Sequence, residues 1–319
     1  MKNLKSINEF WGAVIRRDMS SAVREEDKFH NKEELQRYLM KEIGKQGKDV
    51  VIKNLDVSGI EDLHGLFCGL LDGVETLDLS GWNTSDVKNI GGMFAYCDSL
   101  KSLDLSGWDT NSVENMAGVF NCCLNLKSLD LSGWDTSSVT DMKYMFAYCD
   151  SLECPDLSGW DTGKVTDMSW MFGSCKKFKS LDLSGWNTSS VKNMNCMFCV
   201  CNCLNNLDLS GWDTSIVTDM GWMFNGCISL KSLDLSDWNT SGVKSMENMF
   251  SDCENLKSLD LSGWDVRKVT DMGWMFNYCK NLKSLDLSGW DISRVKGTHT
   301  MFNNCPAPYK VVDNKIVRR

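Results

Sequence analysis

Hydrophobic and polar positions along this chain follow two local rules in turn. Leu103-Asp104-Leu105-Ser106 alternates apolar and polar side chains, the pattern of a short strand with one buried face. Further on, Val113, Met116, Val119, Phe120 and Cys123 fall at helical spacing. At about 100° per residue they share one sector, which predicts a short helix packed beneath the strand. Between the two, Gly107-Trp108-Asp109-Thr110 supplies a glycine and an aspartate, and residue 109 and its equivalents are Asp or Asn throughout. Such short side chains bond nearby backbone amides in turns. Ser138-Val139-Thr140-Asp141 has the capping-box form with Asp in place of Glu, so a capped helix start is predicted in some units.

The whole pattern recurs every 26 residues without insertion. Trp82, Trp108, Trp134, Trp160, Trp186, Trp212, Trp238, Trp264 and Trp290 mark it, as do a phenylalanine series from Phe94 to Phe302 and a cysteine series from Cys97 to Cys305. A constant period means that each unit stacks on the last in one geometry, the mark of a solenoid. The predicted fold is an α/β solenoid, a leucine-rich-repeat-like right-handed stack of strand-turn-short helix units. At ~4.8 Å per strand, ten turns give a rod roughly 45 to 50 Å long.

An open stack exposes core and free backbone groups at both ends, so caps are required. Leu35, Leu39 and Ile43 lie at i, i+4 and i+8 in a stretch that starts at Asn31 and reaches a glycine at Gly44, which predicts an amphipathic N-terminal helical cap over 31–49. Residues 50–305 form the solenoid of about ten repeats, with 50–72 a degenerate first one. Pro306 and Pro308 stop the pattern, and 306–319 is read as a C-terminal cap with a closing strand or hairpin. Residues 1–30 are an N-terminal extension that fits neither. Pro155 replaces a strand leucine, and a proline there removes a ladder hydrogen bond, so a local kink or bulge is predicted.

Composition narrows the function. The apolar fraction is 42%, enough for a continuous core, and the apolar runs are too short to span a bilayer. Net charge is −9, with 11 basic against 9 acidic residues in 1–50, leaving −11 on the remainder. That balance argues against direct nucleic-acid binding. The beginning of the chain lacks the pattern of a secretory signal, so the expected location is cytoplasmic, or outside by another route. An odd cysteine total of 15 without a signal favours reduced, buried thiols over a disulfide framework. His30, His64 and His299 belong to no nucleophile or metal motif, and no phosphate loop is present. Neither enzyme activity nor a cofactor is expected.

The string Leu-Asp-Leu-Ser-Gly-Trp-Asp-Thr-Ser-x-Val-Thr-Asp-Met-x-x-Met-Phe-x-x-Cys, seen nearly whole at 129–149, resembles the BspA-like family of leucine-rich-repeat-like proteins, also found in mycoplasma lipoproteins. The resemblance covers about residues 31–305. It implies a bacterial binding protein, often used in adhesion at a cell surface, and carries no catalytic residues.

Candidate binding residues are ladder positions that packing does not need. With Val165 at 0°, the set Met168, Met171, Phe172 and Cys175 centres near 280° while Trp170 lies at about 140°. Trp170, Trp222 and Trp274 are therefore predicted to face outward, extended by Tyr144 and Tyr148, and exposed aromatics mark interfaces. Duplication of repeat pairs explains the same alternation without function. An acidic ladder, Asp78, Asp104, Asp130, Asp156, Asp182, Asp208, Asp234, Asp260 and Asp286, points out from the sheet. Unit charges ~5 Å apart repel by about 0.8 kcal/mol even in water. Lysines three residues earlier (Lys101, Lys127, Lys179, Lys231, Lys257, Lys283) and hydrogen bonds to serine hydroxyls or amides are the expected compensation; a basic partner or cations are the alternatives. Cys196, Cys199 and Cys203 crowd around Cys201, but a zinc site needs four convergent thiolates, so no metal is assigned. The reading is a non-enzymatic scaffold that binds a macromolecular partner, most simply a protein. An acidic DNA mimic and a structural adhesin or spacer are the alternatives.

Overall fold

Coil follows coil in constant register. The structure, a computed structural model, describes residues 28–312 and 315–318. Strands β1 (Asp49–Val51), β2 (Thr76–Asp78) and β3 (Ser102–Asp104) pair in parallel, with Val50, Leu77 and Leu103 opposite one another. The same side of the stack continues as β4 (Ser180–Leu181) on β5 (Asn206–Leu207) and β6 (Ser258–Asp260) on β7 (Ser284–Asp286). In each of these strands the apolar residue is buried and the residue before it exposed, as alternation requires.

Strand pairing lapses between Ser128 and Ser180, the interval that holds Pro155. The predicted disturbance is therefore a loss of pairing. It is not Pro155's alone, because the coil at Ser232–Asp234 also lacks strand pairing and carries no proline. The indole nitrogens of Trp134 and Trp160 are buried without a hydrogen-bond partner. The Trp82 indole N–H donates to Ile52 O, and those of the other series tryptophans donate to the leucine carbonyl 29 residues earlier, as from Trp186 to Leu157 at 3.2 Å and from Trp264 to Leu235 at 3.1 Å.

Among the described residues the predicted short α-helices do not form, and only the last coil has a single 3-10 turn, at Thr298–Thr300. Residues 165–175 run as overlapping turns in which amides alternate between two partners. Met168, Trp170, Phe172 and Ser174 donate to Asn193, Asn195, Met197 and Cys199 of the next coil, whereas Met171, Gly173 and Cys175 donate three residues back. A helix would have bonded every amide to the fourth residue before it. Two residues per coil adopt left-handed backbone, Trp170 (φ 60°) and Ser174 (φ 64°) in this one, and these end any helical run. The capping box fails for the same reason. Asp141 Oδ1 accepts from the Lys143 amide at 3.0 Å, an Asx turn that opens the run of turns.

Between the strand side and the turn side lies one continuous apolar core. Its spine is the phenylalanine series from Phe67 to Phe302, stacked ring on ring at 5.3 to 5.8 Å, so the degenerate first repeat is structurally a full coil. Buried threonines add a polar rail: Thr110 Oγ1 donates to Asp135 O at 2.9 Å and Thr162 Oγ1 to Asn187 O at 3.0 Å.

Helix α1 (Lys32–Gln46) lies against β1 with Leu35 and Leu39 buried and Ile43 partly so. Asn31 caps its start by accepting from the Glu34 amide at 2.9 Å. It runs past Gly44 and ends at Gly47, whose φ of 73° supplies the left-handed stop. Most of the extension predicted over 1–30 lies outside the described residues. Of its last three, Lys28 bridges to Asp56 and Phe29 is buried against Tyr38. At the far end, past Pro306 and Pro308, β8 (Tyr309–Val312) and β9 (Lys315–Arg318) pair antiparallel. Among the described residues no helix is long and apolar enough to cross a membrane.

Candidate functional site

On the turn side of most coils two positions four residues apart carry left-handed backbone; their side chains are exposed in some coils, as at Tyr148 and Trp222, and buried in others, as at Ser174, Cys196 and Asn248. In the early coils glycine takes the first of them, as at Gly92 and Gly118. Tyr144, Trp170, Trp222 and Trp274 hold it in later coils with φ between 57° and 61°. A left-handed residue with a Cβ costs about 1–2 kcal/mol, so bulky aromatics are costly occupants there. Tyr144 and Tyr148 are 39% exposed, Trp222 37% and Trp274 41%, while Trp170 is half-buried. Tyr144, Tyr148, Trp222 and Trp274 are exposed as the helical wheel expects, whereas Trp170, expected to face out, is half-buried; left-handed backbone, not a helix face, sets these directions.

Three of the five predicted residues meet. The Trp170 ring stacks on Tyr144 at 5.9 Å and 14°, and on Tyr148 at 5.9 Å and 20°. It lies down against Gly173, where a Cβ would come within 2.7 Å of Trp170 Cε3. Burial pushes the Tyr148 phenol up, with the thiols of Cys199, Cys122 and Cys196 adding to the effect. Trp222 and Trp274 stand two and four coils further along, at ~4.8 Å per coil. Sequence reasoning missed Tyr96 and Tyr278, 50% and 42% exposed at the second left-handed position. Their signal was available, since both share the 26-residue register of Tyr148.

The aspartate ladder is compensated in one of the two predicted ways. Each aspartate accepts from the serine two residues on: Asp260 takes the Ser262 amide at 3.0 Å and its hydroxyl at 2.7 Å. These bonds lower the carboxyl pKa at Asp130, Asp156, Asp182, Asp234 and Asp260, the serine hydroxyl leading. The predicted lysine pairing does not form. Asp78 pairs with Lys53 at 2.6 Å, Lys101 goes to Glu75 at 2.8 Å, and no other ladder lysine has an ion pair among the described residues. A lysine three residues before its aspartate lies beyond the strand, on the opposite face in alternation.

The core cysteines are committed donors. Cys201 Sγ gives its hydrogen to Phe172 O at 3.1 Å, and burial drives its pKa well up. The cluster around it divides: Cys203 is exposed, and Cys196 and Cys199 are buried. Among the described residues no group of three His, Cys, Asp or Glu side chains could hold a metal ion.

The repeat register behind this geometry also defines the relatives. The sequence profile described as "Mycoplasma protein of unknown function, DUF285" matches residues 17–129, 118–227 and 199–314. The chain belongs to this family. A mycoplasma repeat family agrees with the resemblance read from the sequence. No curated protein matches it. Among solved structures it is similar to a leucine rich cell surface protein from Faecalibacterium prausnitzii, at 16% identity and TM-score 0.34 over 75% of this chain and 79% of that one. It is also similar to a leucine-rich-repeat protein from Bacteroides ovatus, at 17% identity and TM-score 0.36 over 70% and 63% of the two chains. An internalin from Listeria monocytogenes aligns at 15% identity and TM-score 0.28 over 94% and 93%.

Proposed function

We propose that this member of the DUF285 family is a non-enzymatic scaffold whose turn face binds a protein, with Tyr144, Tyr148, Trp170, Trp222 and Trp274 as its anchors. The observation that carries this reading is the placement of tyrosine and tryptophan at left-handed positions that glycine fills elsewhere in the same array. Strain of that kind is retained where side chains do something besides hold the fold. Aromatic anchors on a rigid frame are the usual energetic centre of protein interfaces. The aspartate ladder has a structural account in its serine turns, which makes it the weaker candidate for a basic partner. Net charge of −9 disfavours nucleic acid as the ligand. The coil is right-handed in this reading, as connections between parallel strands are, and α1 and the β8–β9 hairpin act as its caps. Adhesion, which the BspA-like resemblance implies, is one use of such a surface.

The test replaces Trp222 and Trp274 together by glycine, the residue their backbone favours. A protein captured from native lysate by the wild type is purified and its affinity for both forms measured directly. Loss of binding by a variant with unchanged melting supports the turn face. Equal binding moves the site elsewhere, and first to the aspartate ladder.

A further inference from the structure

Cys196 and Cys199 stand outside the repeat's own cysteine series. Their ladder positions hold other residues in the other coils: Gly92, Gly118 and Trp170 at the first, Ala95, Ala147 and Gly173 at the second. Only in this coil does a cysteine occupy both. The two are the ends of one turn, closed by the Cys199 amide donating to Cys196 O at 3.1 Å. A turn of this type holds its first and fourth Cα atoms within about 7 Å, inside the range over which a disulfide spans two Cα atoms. Both side chains are buried, at 5% and 2% exposure. The neighbouring Cys199 thiol, and after it burial, pushes the Cys196 pKa up. Cys175 and Cys201 give their thiol hydrogens to phenylalanine carbonyls, and among the described residues neither sulfur of this pair makes such a bond.

We propose that Cys196 and Cys199 form a reversible intramolecular disulfide when the protein meets a hydroperoxide. Cys199, whose sulfur lies beside Gly173 under the aromatic cluster, is the attacking sulfur in this scheme. As a thiolate it attacks one peroxide oxygen; the O–O bond breaks, and the leaving oxygen takes a proton and departs as water. Cys199 is then a sulfenic acid. The Cys196 sulfur attacks the Cys199 sulfur while losing its proton, the S–O bond breaks, and a second water leaves. Two thiols and one hydrogen peroxide thus give one disulfide and two waters, with two electrons passing to the peroxide. A dithiol reductant reverses the bond by exchange. The edge of Trp170 lies over Gly173, and a Cβ at Gly173 would be 3.2 Å from Cys199 Sγ, so the pair sits directly behind the aromatic cluster.

The experiment is differential alkylation with mass spectrometry on the full chain, before and after hydrogen peroxide and again after dithiothreitol. The expected result is a loss of two alkylatable thiols and two hydrogens, a fragment in which Cys196 and Cys199 are linked, and recovery on reduction. Cys199→Ala and Cys196→Gly place residues found at these positions in other coils, and both are expected to lose the paired oxidation while keeping the wild-type melting temperature. Linkage mapped to other cysteines, oxidation confined to exposed Cys68, Cys154 and Cys203, or unchanged paired oxidation in the Cys199→Ala variant would overturn the proposal.

Discussion

The sulfur of Cys175 donates to the carbonyl oxygen of Phe146, 29 residues earlier, at 3.1 Å. The Cys149 amide reaches the same oxygen at 3.1 Å, so one carbonyl is shared by its own coil and the next. This explains a cysteine where alanine would fill the space: the thiol is a small apolar group that also donates. Cys175→Ala is expected to cost about 1–2 kcal/mol through the lost contact and the cavity. A urea midpoint equal to the wild type's would refute this account.

Trp186 and Trp134 are equivalent in sequence but not in bonding. The Trp186 indole donates to Leu157, while that of Trp134 is buried and unpartnered. Replacing tryptophan by phenylalanine removes a made bond in the first case and an orphan donor in the second. Trp186→Phe is expected to destabilise by about 1 kcal/mol more than Trp134→Phe, because an unmet buried donor already costs about that much. Parallel denaturation curves decide it, and equal costs would mean that the indole bond contributes nothing.

Left-handed backbone at Trp222 separates glycine from alanine. Both substitutions remove the ring, yet only alanine retains the Cβ strain. Trp222→Gly is therefore expected to exceed Trp222→Ala in stability by about 1 kcal/mol. The reverse order is what helix propensity would give, so the measurement also tests the absence of a helix here.

The aspartates bonded to serine set an acid limit. The folded pKa values of Asp130, Asp156, Asp182, Asp234 and Asp260 lie below the ordinary 3.8, and that of Asp265, bonded to the Arg267 guanidinium and amide, falls to about 2. A lowered folded pKa contributes stability that is fully present above the unfolded value and lost as pH falls through the folded one. The melting temperature is expected to hold down to about pH 4 and fall between pH 4 and pH 2. Carboxyl titration of Asp260 by NMR, in wild type and Ser262→Ala, checks the cause: the variant's pKa should move up toward 3.8.

Much of this was legible in the sequence. Strand leucines, the Phe, Met and Cys core set, the stop at Pro306 and the outward aromatics all follow from a pattern repeated in strict register, and repetition averages out local ambiguity. The turn side was misread because Val165, Met168, Met171, Phe172 and Cys175 suit a helix face and a run of tight turns equally well. Glycine at residues 92 and 118, where φ is positive, was the available sign of left-handed backbone. Lysine pairing was misjudged for a different reason, since three residues along a strand reverse the face.

By itself, then, the sequence determined the period, the stacking and which side chains enter the core, because burial depends on residue type and spacing and these recur in every coil. Only the tertiary structure decided how each backbone amide is satisfied: within its own turn at Met171, in the next coil at Trp170, or by neither at the indole of Trp134. A hydrogen bond between coils depends on where the neighbouring coil lies to a few tenths of an ångström, and no residue pattern within one coil encodes that.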